Sequence, residues 1–307
     1  MTVTGSHIAA RLDRLGADWP HRERSDSVHA NGMAWHVQRF GFDQIQSDRP
    51  RILLLHGTGA STHSFRDCAP LLARNADVLV LDLPGHAASD TPRGDGLSLP
   101  GMAKGIGALC EELEFRPDIV AGHSAGVAIA ISATLEGHVA PKLIVGFNAA
   151  LKPIEGYALF SPLAKALFLN PLTPSLFAQA GGREGTARRL IEGTGSKIDA
   201  WGIELYRRLF ADRAHVNGAL GMMANWDLAT LQRHMPGLRV PLVLVTAADD
   251  KAIPARDAPR HLERVREGRH IALATGGHLF HEEQPEEAVR LIETAMDDVG
   301  LRFALSD

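Results

Sequence analysis

Gly122-His123-Ser124-Ala125-Gly126 joins an apolar run at residues 118–121 to a helical stretch at residues 125–136, and this junction is the strongest indication of fold class in the chain. The order Gly-x-Ser-x-Gly between a strand and a helix is typical of a nucleophile elbow, a strained turn that lifts a serine hydroxyl clear of a sheet. A side chain at either glycine would collide with the neighbouring strand or helix in so tight a turn. The motif therefore predicts a nucleophilic Ser124, with a structural serine in a glycine-rich turn as the alternative.

Short apolar runs alternate with helical patterns on both sides of this motif. The predicted strands cover residues 27–30, 33–40, 51–55, 78–83, 118–121, 143–147, 242–245 and 270–274. The predicted helices cover residues 64–74, 99–113, 125–136, 256–266 and 286–296. Apolar strands separated by helices indicate a parallel sheet covered on both faces, and the Asn31-Gly32 pair predicts an antiparallel hairpin between the first two strands. We therefore expect an α/β fold with a mostly parallel eight-stranded sheet flanked by helices.

The alternation is interrupted between residues 151 and 236. Four prolines punctuate helical pieces in this region, which include residues 163–169 and 203–210. The pattern predicts a helical cap at residues 152–236, inserted into a core that is made of residues 1–151 and 237–307.

Candidate partners for Ser124 follow it in the chain. A serine hydroxyl is a poor nucleophile until a base takes its proton, and that base is held in one tautomer by a carboxylate. Asp249 and Asp250 follow the predicted strand at residues 242–245, and Gly276-Gly277-His278 follows the predicted strand at residues 270–274. An acid and a base are therefore both available directly after predicted strands.

With these motifs the chain resembles the α/β-hydrolase superfamily over nearly its whole length. In that family the catalytic aspartate stands four residues before a proline, and Pro254 selects Asp250 by this spacing. The histidine of the family directly follows a glycine, which points to His278. The resemblance thus implies a catalytic triad of Ser124, Asp250 and His278, in the chain order serine, acid, histidine. Asp249 is the alternative acid, because a loop that differs in length by one residue would place Asp249 where Asp250 is expected.

The motif His56-Gly57-Thr58-Gly59 follows the third predicted strand and resembles the oxyanion loop of the same family. By this resemblance the backbone N–H groups of Thr58 and Ala125 form an oxyanion hole, in which one donor is typically worth ~2.7–4 kcal/mol of transition-state stabilisation. His56 itself is expected to brace the turn. Asp82, which follows the fourth predicted strand, is expected to bond backbone groups near the rim of the site.

More narrowly, the chain resembles the magnesium-chelatase accessory hydrolase of bacteriochlorophyll biosynthesis. The segments that carry this resemblance are residues 19–23, 56–64, 97–102, 122–126, 148–151, 161–165 and 222–228. The resemblance to this narrower group depends on residues 19–23 and on residues 161–165 and 222–228, which lie in the predicted cap. The other segments include motifs that many hydrolases share. The resemblance implies a role around magnesium insertion into protoporphyrin, with a protoporphyrin and magnesium-chelatase subunits as candidate partners.

The predicted cap is more apolar than an exposed insertion needs to be. Its candidate substrate-binding residues are Phe160, Phe168, Phe177, Met223 and Trp226. They are expected to line a roomy apolar pocket. The alternative is that most of them pack the cap onto the sheet.

The composition excludes several classes of function. A formal net charge of −4 gives no basic surface for nucleic acid. We expect a cytoplasmic protein without a transmembrane segment, because the N-terminus lacks the apolar stretch of a signal peptide and no later segment reaches the length of a membrane span. The two isolated cysteines also favour a reducing compartment.

Neither a cofactor nor a metal is expected. Residues 193–197 superficially resemble a phosphate-binding loop, but they lack its spacing and its preceding strand. His278, His281 and Glu282 follow two glycines at a strand end, and their order is not that of a zinc-protease helix.

Three functions remain after these exclusions. The first is a serine hydrolase that cleaves an ester or related acyl bond of an apolar molecule. The second is a non-catalytic accessory protein that binds a tetrapyrrole or a magnesium-chelatase subunit. The third is lyase or carbon–carbon hydrolase chemistry on the same fold. The motifs favour the hydrolase, because a pure binding protein has no physical need for a strained elbow.

Overall fold

An eight-stranded sheet forms the centre of the fold. The computed structural model describes residues 4–42, 49–152, 173–183 and 185–301. The strands are β1 (Ser25–Ala30), β2 (Met33–Phe40), β3 (Arg51–Leu55), β4 (Asp77–Leu81), β5 (Ile119–His123), β6 (Leu143–Phe147), β7 (Leu242–Ala247) and β8 (Gly268–Leu273). Their order is β1-β2-β4-β3-β5-β6-β7-β8, and β2 pairs antiparallel with both neighbours while all other pairs are parallel. The predicted mostly parallel sheet is confirmed.

The first two strands form the predicted hairpin. Asn31 and Gly32 connect them with φ angles of 50° and 73°. Both angles lie in the left-handed region, which is what the two central residues of a type I′ turn require. Asparagine and glycine adopt this region at low cost, so the Asn-Gly pair sets the position of the turn.

Twelve α-helices are found among the described residues. They are α1 (Thr4–Leu15), α2 (Cys68–Leu72), α3 (Leu99–Glu112), α4 (Ala125–Leu135), α5 (Thr173–Gly181), α6 (Thr186–Gly193), α7 (Ala200–Ala211), α8 (Arg213–Asn225), α9 (Leu228–His234), α10 (Asp257–Leu262), α11 (Phe280–Glu283) and α12 (Pro285–Asp298). Among these helices, none combines the length and the apolar character that crossing a membrane requires.

The helix predicted at residues 64–74 is divided in the structure. A 3-10 turn covers Thr62–Phe65, and α2 begins only at Cys68. A continuous helix would need an N–H group at Pro70 to bond the carbonyl of Arg66, and proline has none. The prediction of one helix is therefore wrong here, whereas the helices predicted around α3, α4 and α12 are confirmed.

Alternation along the parallel strands divides the apolar core into two layers. Successive strand residues point to opposite faces, so Leu53 and Leu55 face one layer while Ile52 and Leu54 face the other. Helices α3 and α4 complete the first layer, and α2 and α12 complete the second. All four of these side chains are fully buried, and each gains ~1.5–3 kcal/mol from burial. The sheet is therefore held on both faces.

The region between β6 and β7 contains the helices of the predicted cap. In its described part, α5 to α9 follow one another, and α5 packs against α7 and α8. The helical piece predicted at residues 203–210 is confirmed within α7. The piece predicted at residues 163–169 lies outside the described residues. The division into core and cap at residues 152 and 236 stays a prediction.

Candidate active site

Ser124 lies in a strained turn between β5 and α4. Its backbone has φ 50° and ψ −114°, a combination that residues with a side chain rarely adopt. The Ser124 N–H donates to Phe147 O at 2.9 Å, and the Ala150 N–H donates to Ser124 O at 3.1 Å. These two hydrogen bonds tie the turn to the end of β6, and so they hold the strained conformation in place.

The two flanking glycines make this turn sterically possible. A Cβ atom at Gly122 would stand 2.7 Å from Val127 N, and a Cβ atom at Gly126 would stand 2.2 Å from Leu55 O. Side chains do not tolerate contacts this short. The predicted sequence of strand, tight turn and helix is confirmed, and helix α4 lies directly against the end of β3.

His278 and Asp250 are brought together by the loops that follow β8 and β7. His278 Nδ1 lies 2.8 Å from Asp250 Oδ2. The other carboxylate oxygen of Asp250 accepts from the N–H groups of Ala252 at 2.7 Å and Ile253 at 2.9 Å. A carboxylate oxygen here accepts from Nδ1 of His278, so in the neutral form of the ring the proton is on Nδ1 and Nε2 has the lone pair. This is the tautomer in which a histidine can act as a general base.

The neighbouring aspartate, Asp249, makes a different contact. Its N–H donates to Gly276 O at 2.9 Å, and its Oδ2 accepts from the Gly276 N–H at 3.2 Å. The geometry therefore places Asp250 on His278, while Asp249 holds the loop that precedes His278.

Three residues that the sequence analysis did not select also hold the His278 loop. Asn148 Nδ2 donates to His278 O at 2.9 Å and to Gly277 O at 3.0 Å. His123 Nε2 donates to the same His278 carbonyl at 2.9 Å, because a carbonyl oxygen can only accept. Burial holds the pKa of His123 well below its usual range and keeps the ring neutral. Ser196, in the cap, accepts from the backbone just after His278. The signal that could have found Asn148 is its position directly after β6, because residues that follow parallel strands meet at the same edge of the sheet.

The predicted oxyanion loop lies beside the serine. A Cβ atom at Gly57 would stand 3.1 Å from Ser124 Cβ, so the loop that carries Thr58 directly adjoins the nucleophile turn. Ala125 is the first residue of α4, where backbone N–H groups have no partner within the helix. His56 donates to Gly57 O at 2.8 Å and accepts from the Leu83 N–H at 2.9 Å. The expected bracing role of His56 is confirmed.

Buried histidines connect the oxyanion loop to the cap. His215 of α8 donates to Gly59 O at 3.1 Å and accepts from the Ala87 N–H at 3.0 Å. Burial lowers the pKa of His215 to about 4, and it lowers the pKa values of His56 and His86 to about 3. These side chains are therefore neutral at pH 7 and serve as hydrogen-bonding struts rather than charges.

Asp82 bonds backbone groups as expected. Its carboxylate accepts from the N–H groups of Thr62 at 2.8 Å and Ala88 at 3.0 Å, and it also lies 2.6 Å from His36 Nδ1. Although burial opposes ionisation, the contact with His36 and the backbone donors hold the pKa of Asp82 well below its usual range. Asp82 thus anchors two loops next to the site without reaching Ser124.

The cap residues selected from the sequence occupy different environments. Phe177 of α5 is 50% exposed and Met223 of α8 is 41% exposed, on two helices that pack together. Trp226 instead packs against the apolar core, and its Nε1 donates to Leu97 O at 3.2 Å. This contact favours the packing alternative for Trp226. Phe160 and Phe168 lie outside the described residues.

Comparison with known proteins identifies the family. Residues 52–291 match the Alpha/beta hydrolase family. The chain belongs to this family. An α/β-hydrolase fold protein from Burkholderia ambifaria has a similar structure, with a TM-score of 0.71 at 21% identity over 87% of this chain and 96% of that one.

Two relatives add narrower likenesses. The chain is 38% identical over 273 residues to the magnesium-chelatase 30 kDa subunit of Rhodobacter capsulatus, which covers 87% of this chain and 93% of the relative. It is 25% identical over 270 residues to the pimeloyl-[acyl-carrier protein] methyl ester esterase of Aeromonas hydrophila, which covers 85% of this chain and 98% of the relative. At similar coverage the chain is therefore more similar to the magnesium-chelatase subunit than to the esterase.

The buried histidines should make the fold sensitive to mild acid. A histidine in the unfolded chain takes up a proton near pH 6.5, whereas His215 stays neutral in the folded chain down to about pH 4. The unfolded state binds more protons in this window, so the free energy of unfolding should fall as the pH decreases from about 6.5 to about 4, by up to ~1.4 kcal/mol per pH unit for each such histidine. Urea unfolding at a series of pH values measures this slope.

His215→Gln is the matched control for this prediction. Glutamine can accept from the Ala87 N–H and donate to Gly59 O, but it does not titrate. The variant lacks one titrating histidine. Its free energy of unfolding should therefore depend less steeply on pH, by up to ~1.4 kcal/mol per pH unit. Identical slopes for variant and wild type would contradict the neutral, buried state of His215.

Proposed function

We propose that the chain is a serine hydrolase with Ser124 as nucleophile, His278 as general base and Asp250 as the acid that orients the base. The observation that carries this proposal is the 2.8 Å contact between His278 Nδ1 and Asp250 Oδ2. It leaves a lone pair on His278 Nε2, at the sheet edge where the strained turn presents Ser124. A binding protein would need neither feature.

The proposed reaction is acyl transfer through the serine. His278 Nε2 takes the hydroxyl proton while Ser124 Oγ bonds to the carbonyl carbon of the substrate. The N–H groups of Ala125 and Thr58 stabilise the oxyanion that forms. His278 then gives the proton to the leaving alcohol as the carbon–oxygen bond breaks, and an acyl-serine remains. A water molecule that loses a proton to His278 then attacks the acyl carbon. As the bond from that carbon to Ser124 Oγ breaks, His278 returns the proton to Oγ, which releases the acid and restores the serine.

The proposed substrate is an ester or related acyl compound with a large apolar part. The half-exposed Phe177 and Met223 support an apolar ligand at the cap. The name of the Aeromonas relative supports ester cleavage. The name of the Rhodobacter relative supports a role near magnesium chelatase. From the family resemblance of the sequence we take bacteriochlorophyll biosynthesis in the cytoplasm as the setting and a protoporphyrin as the candidate ligand.

The second candidate function is a non-catalytic accessory protein. The observation in its favour is that the relative with 38% identity is named as a magnesium-chelatase subunit rather than as a hydrolase. In this case the chain would bind a tetrapyrrole or another chelatase subunit, and Ser124 would not turn over a substrate. Labelling of the serine separates the two candidates.

A fluorophosphonate probe should label Ser124, because only a base-activated hydroxyl beside an oxyanion hole reacts quickly with it. Ser124→Ala should abolish the labelling without lowering the midpoint of thermal unfolding, as measured by gel fluorescence and circular dichroism. Ser132→Ala changes a second buried serine, which lies within α4, and this variant should label like the wild type. Equal labelling of wild type and Ser124→Ala would show that another residue reacts.

Asp250→Asn should lower the rate of p-nitrophenyl butyrate hydrolysis by ~10⁴-fold, because the amide favours the wrong tautomer of the histidine. Asp249→Asn should lower this rate much less, since Asp249 contacts Gly276 rather than His278. Initial rates of the two variants, with protein folding checked by circular dichroism, measure the difference. A larger loss in Asp249→Asn would move the catalytic acid by one residue.

Magnesium protoporphyrin should bind the cap and not require the nucleophile. Contact of the ring with Phe177 and Met223 would gain about 25 cal/mol per Å² of buried apolar surface, less the cost of ordering the complex. An absorbance titration should therefore show retained affinity in Ser124→Ala and clearly weaker binding in a double variant with Phe177→Ala and Met223→Ala. If no variant binds at micromolar concentrations while esters are hydrolysed, the ligand is not a tetrapyrrole and a general esterase describes the protein better.

A further inference from the structure

Thr194, Gly195 and Ser196, which we call the cap clamp, lie between the two loops that carry Asp250 and His278. They belong to the glycine-rich segment after α6 that superficially resembles a phosphate-binding loop in the sequence. The structure shows that this segment contacts protein backbone on both sides rather than presenting a free nest of N–H groups. Its contacts assign it a different role.

On one side the cap clamp holds the loop of the acid. The Lys251 N–H donates to Thr194 O at 3.0 Å, directly after Asp250. A Cβ atom at Gly195 would stand 1.9 Å from Asp249 O, and the backbone of Gly195 has a φ of 85°. Only glycine allows so close an approach in this conformation. The backbone on both sides of Asp250 therefore touches the cap clamp.

On the other side the cap clamp holds the loop of the base. Ser196 Oγ accepts from the Leu279 N–H at 2.9 Å, directly after His278. Ser196 is 1% exposed, and its hydroxyl lies 2.8 Å from Thr194 Oγ1, which donates to Ile191 O at 2.6 Å. The hydroxyls thus form a chain from the end of α6 to the His278 loop. A buried acceptor of this kind fixes the position of the peptide that it bonds.

The same loop has a second attachment to the cap. Glu283 accepts from the Lys197 N–H at 3.1 Å and also from the Gly277 N–H at 3.1 Å. A Cβ atom at Gly277 would stand 2.4 Å from the Gly195 carbonyl carbon. The peptides before and after His278 are therefore both fixed against residues 194–197.

The sheet alone supports these loops from one side only. In the sheet formed by the described residues β8 is the last strand, and it pairs there with β7 alone. Asn148 and His123 reach the His278 loop from the ends of β6 and β5. The cap clamp supplies further contacts to this loop that come from outside the sheet.

We propose that Ser196 and Gly195 are positioning residues that set the geometry of the Asp250–His278 pair from the cap. This inference rests on the proposed function, because it assigns the two residues to the same site. They touch neither Ser124 nor the pair itself. They act through the backbone of Leu279 and Asp249, and so the cap is part of the catalytic framework as well as a cover for the substrate.

The test compares wild type, Ser196→Ala and Gly195→Ala, with Ser132→Ala as the matched control for loss of a buried serine hydroxyl. Two quantities are measured: the rate of fluorophosphonate labelling, and the low-field proton signal of the His278–Asp250 hydrogen bond in ¹H NMR. Ser196→Ala should label about tenfold more slowly, in line with the loss of one buried hydrogen bond. The labelling rate of Gly195→Ala should fall on the order of 10²-fold, as expected when catalytic groups are displaced. In both variants the low-field signal should shift or broaden, and Ser132→Ala should match the wild type.

The two readouts separate this inference from the proposed function. A wild type that is not labelled overturns the proposed function, and the low-field signal then still decides whether the cap clamp positions the pair. A wild type that is labelled, together with Ser196→Ala that has the same labelling rate and the same low-field signal, overturns the positioning role. If Gly195→Ala does not fold, the nearly isosteric Ser196→Ala still decides the result.

Discussion

The close approach of α4 to the end of β3 is the constraint on which the rest of the site depends. Gly126 lies so near Leu55 O that no side chain fits between them, and this contact forces the chain to turn sharply at Ser124. The strain of such a turn costs of order 1–3 kcal/mol. Helix α4 offsets it, because residues 125–133 are all buried and each large apolar side chain among them contributes ~1.5–3 kcal/mol. The strained serine is therefore held by the packing of a whole helix.

A second constraint is the exclusion of water from the loops beside the serine. His56, His86 and His215 are buried and neutral, and His56 and His215 hold backbone groups of the oxyanion loop or its neighbours. Neutral imidazoles suit this position, because each can donate and accept without the cost of burying a charge. The ionised Asp82 is tolerated nearby since His36 and two backbone donors satisfy it. Hydrogen bonds from these buried side chains thus hold the loop that carries Thr58 and its neighbours in place.

The cap takes part in the same framework. Its α8 reaches the loop that carries Thr58 through His215, and its segment 194–197 reaches the loops that carry Asp250 and His278. Tyr206 of α7 donates to the buried Glu282 of α11 at 2.7 Å. Glu282 is also paired with Arg66, which neutralises its charge. Three separate parts of the cap are therefore joined to the three loops of the site. These hydrogen bonds connect the region between β6 and β7 with the loops that surround Ser124.

The sequence by itself determined the elements whose cause is local. The apolar runs, the Asn31-Gly32 turn and the glycines around Ser124 each act through neighbouring residues, and so the sheet, the hairpin and the elbow were predicted. The one divided helix was missed because Pro70 was not counted as a break. Spacing to Pro254 selected Asp250, but adjacent aspartates in a loop point in different directions, and only the folded loop shows which of them meets His278.

The tertiary structure alone decided the contacts between distant parts of the chain. Asn148 and Ser196 lie 130 and 83 residues from the backbone groups that they bond, and no periodicity or motif links positions so far apart. The sequence also did not predict which cap side chains are buried. An apolar residue looks the same in the sequence whether it packs inward, as Trp226 does, or stays half exposed, as Phe177 does. Burial depends on what other segments place around a side chain, and that is a property of the folded chain rather than of any stretch of it.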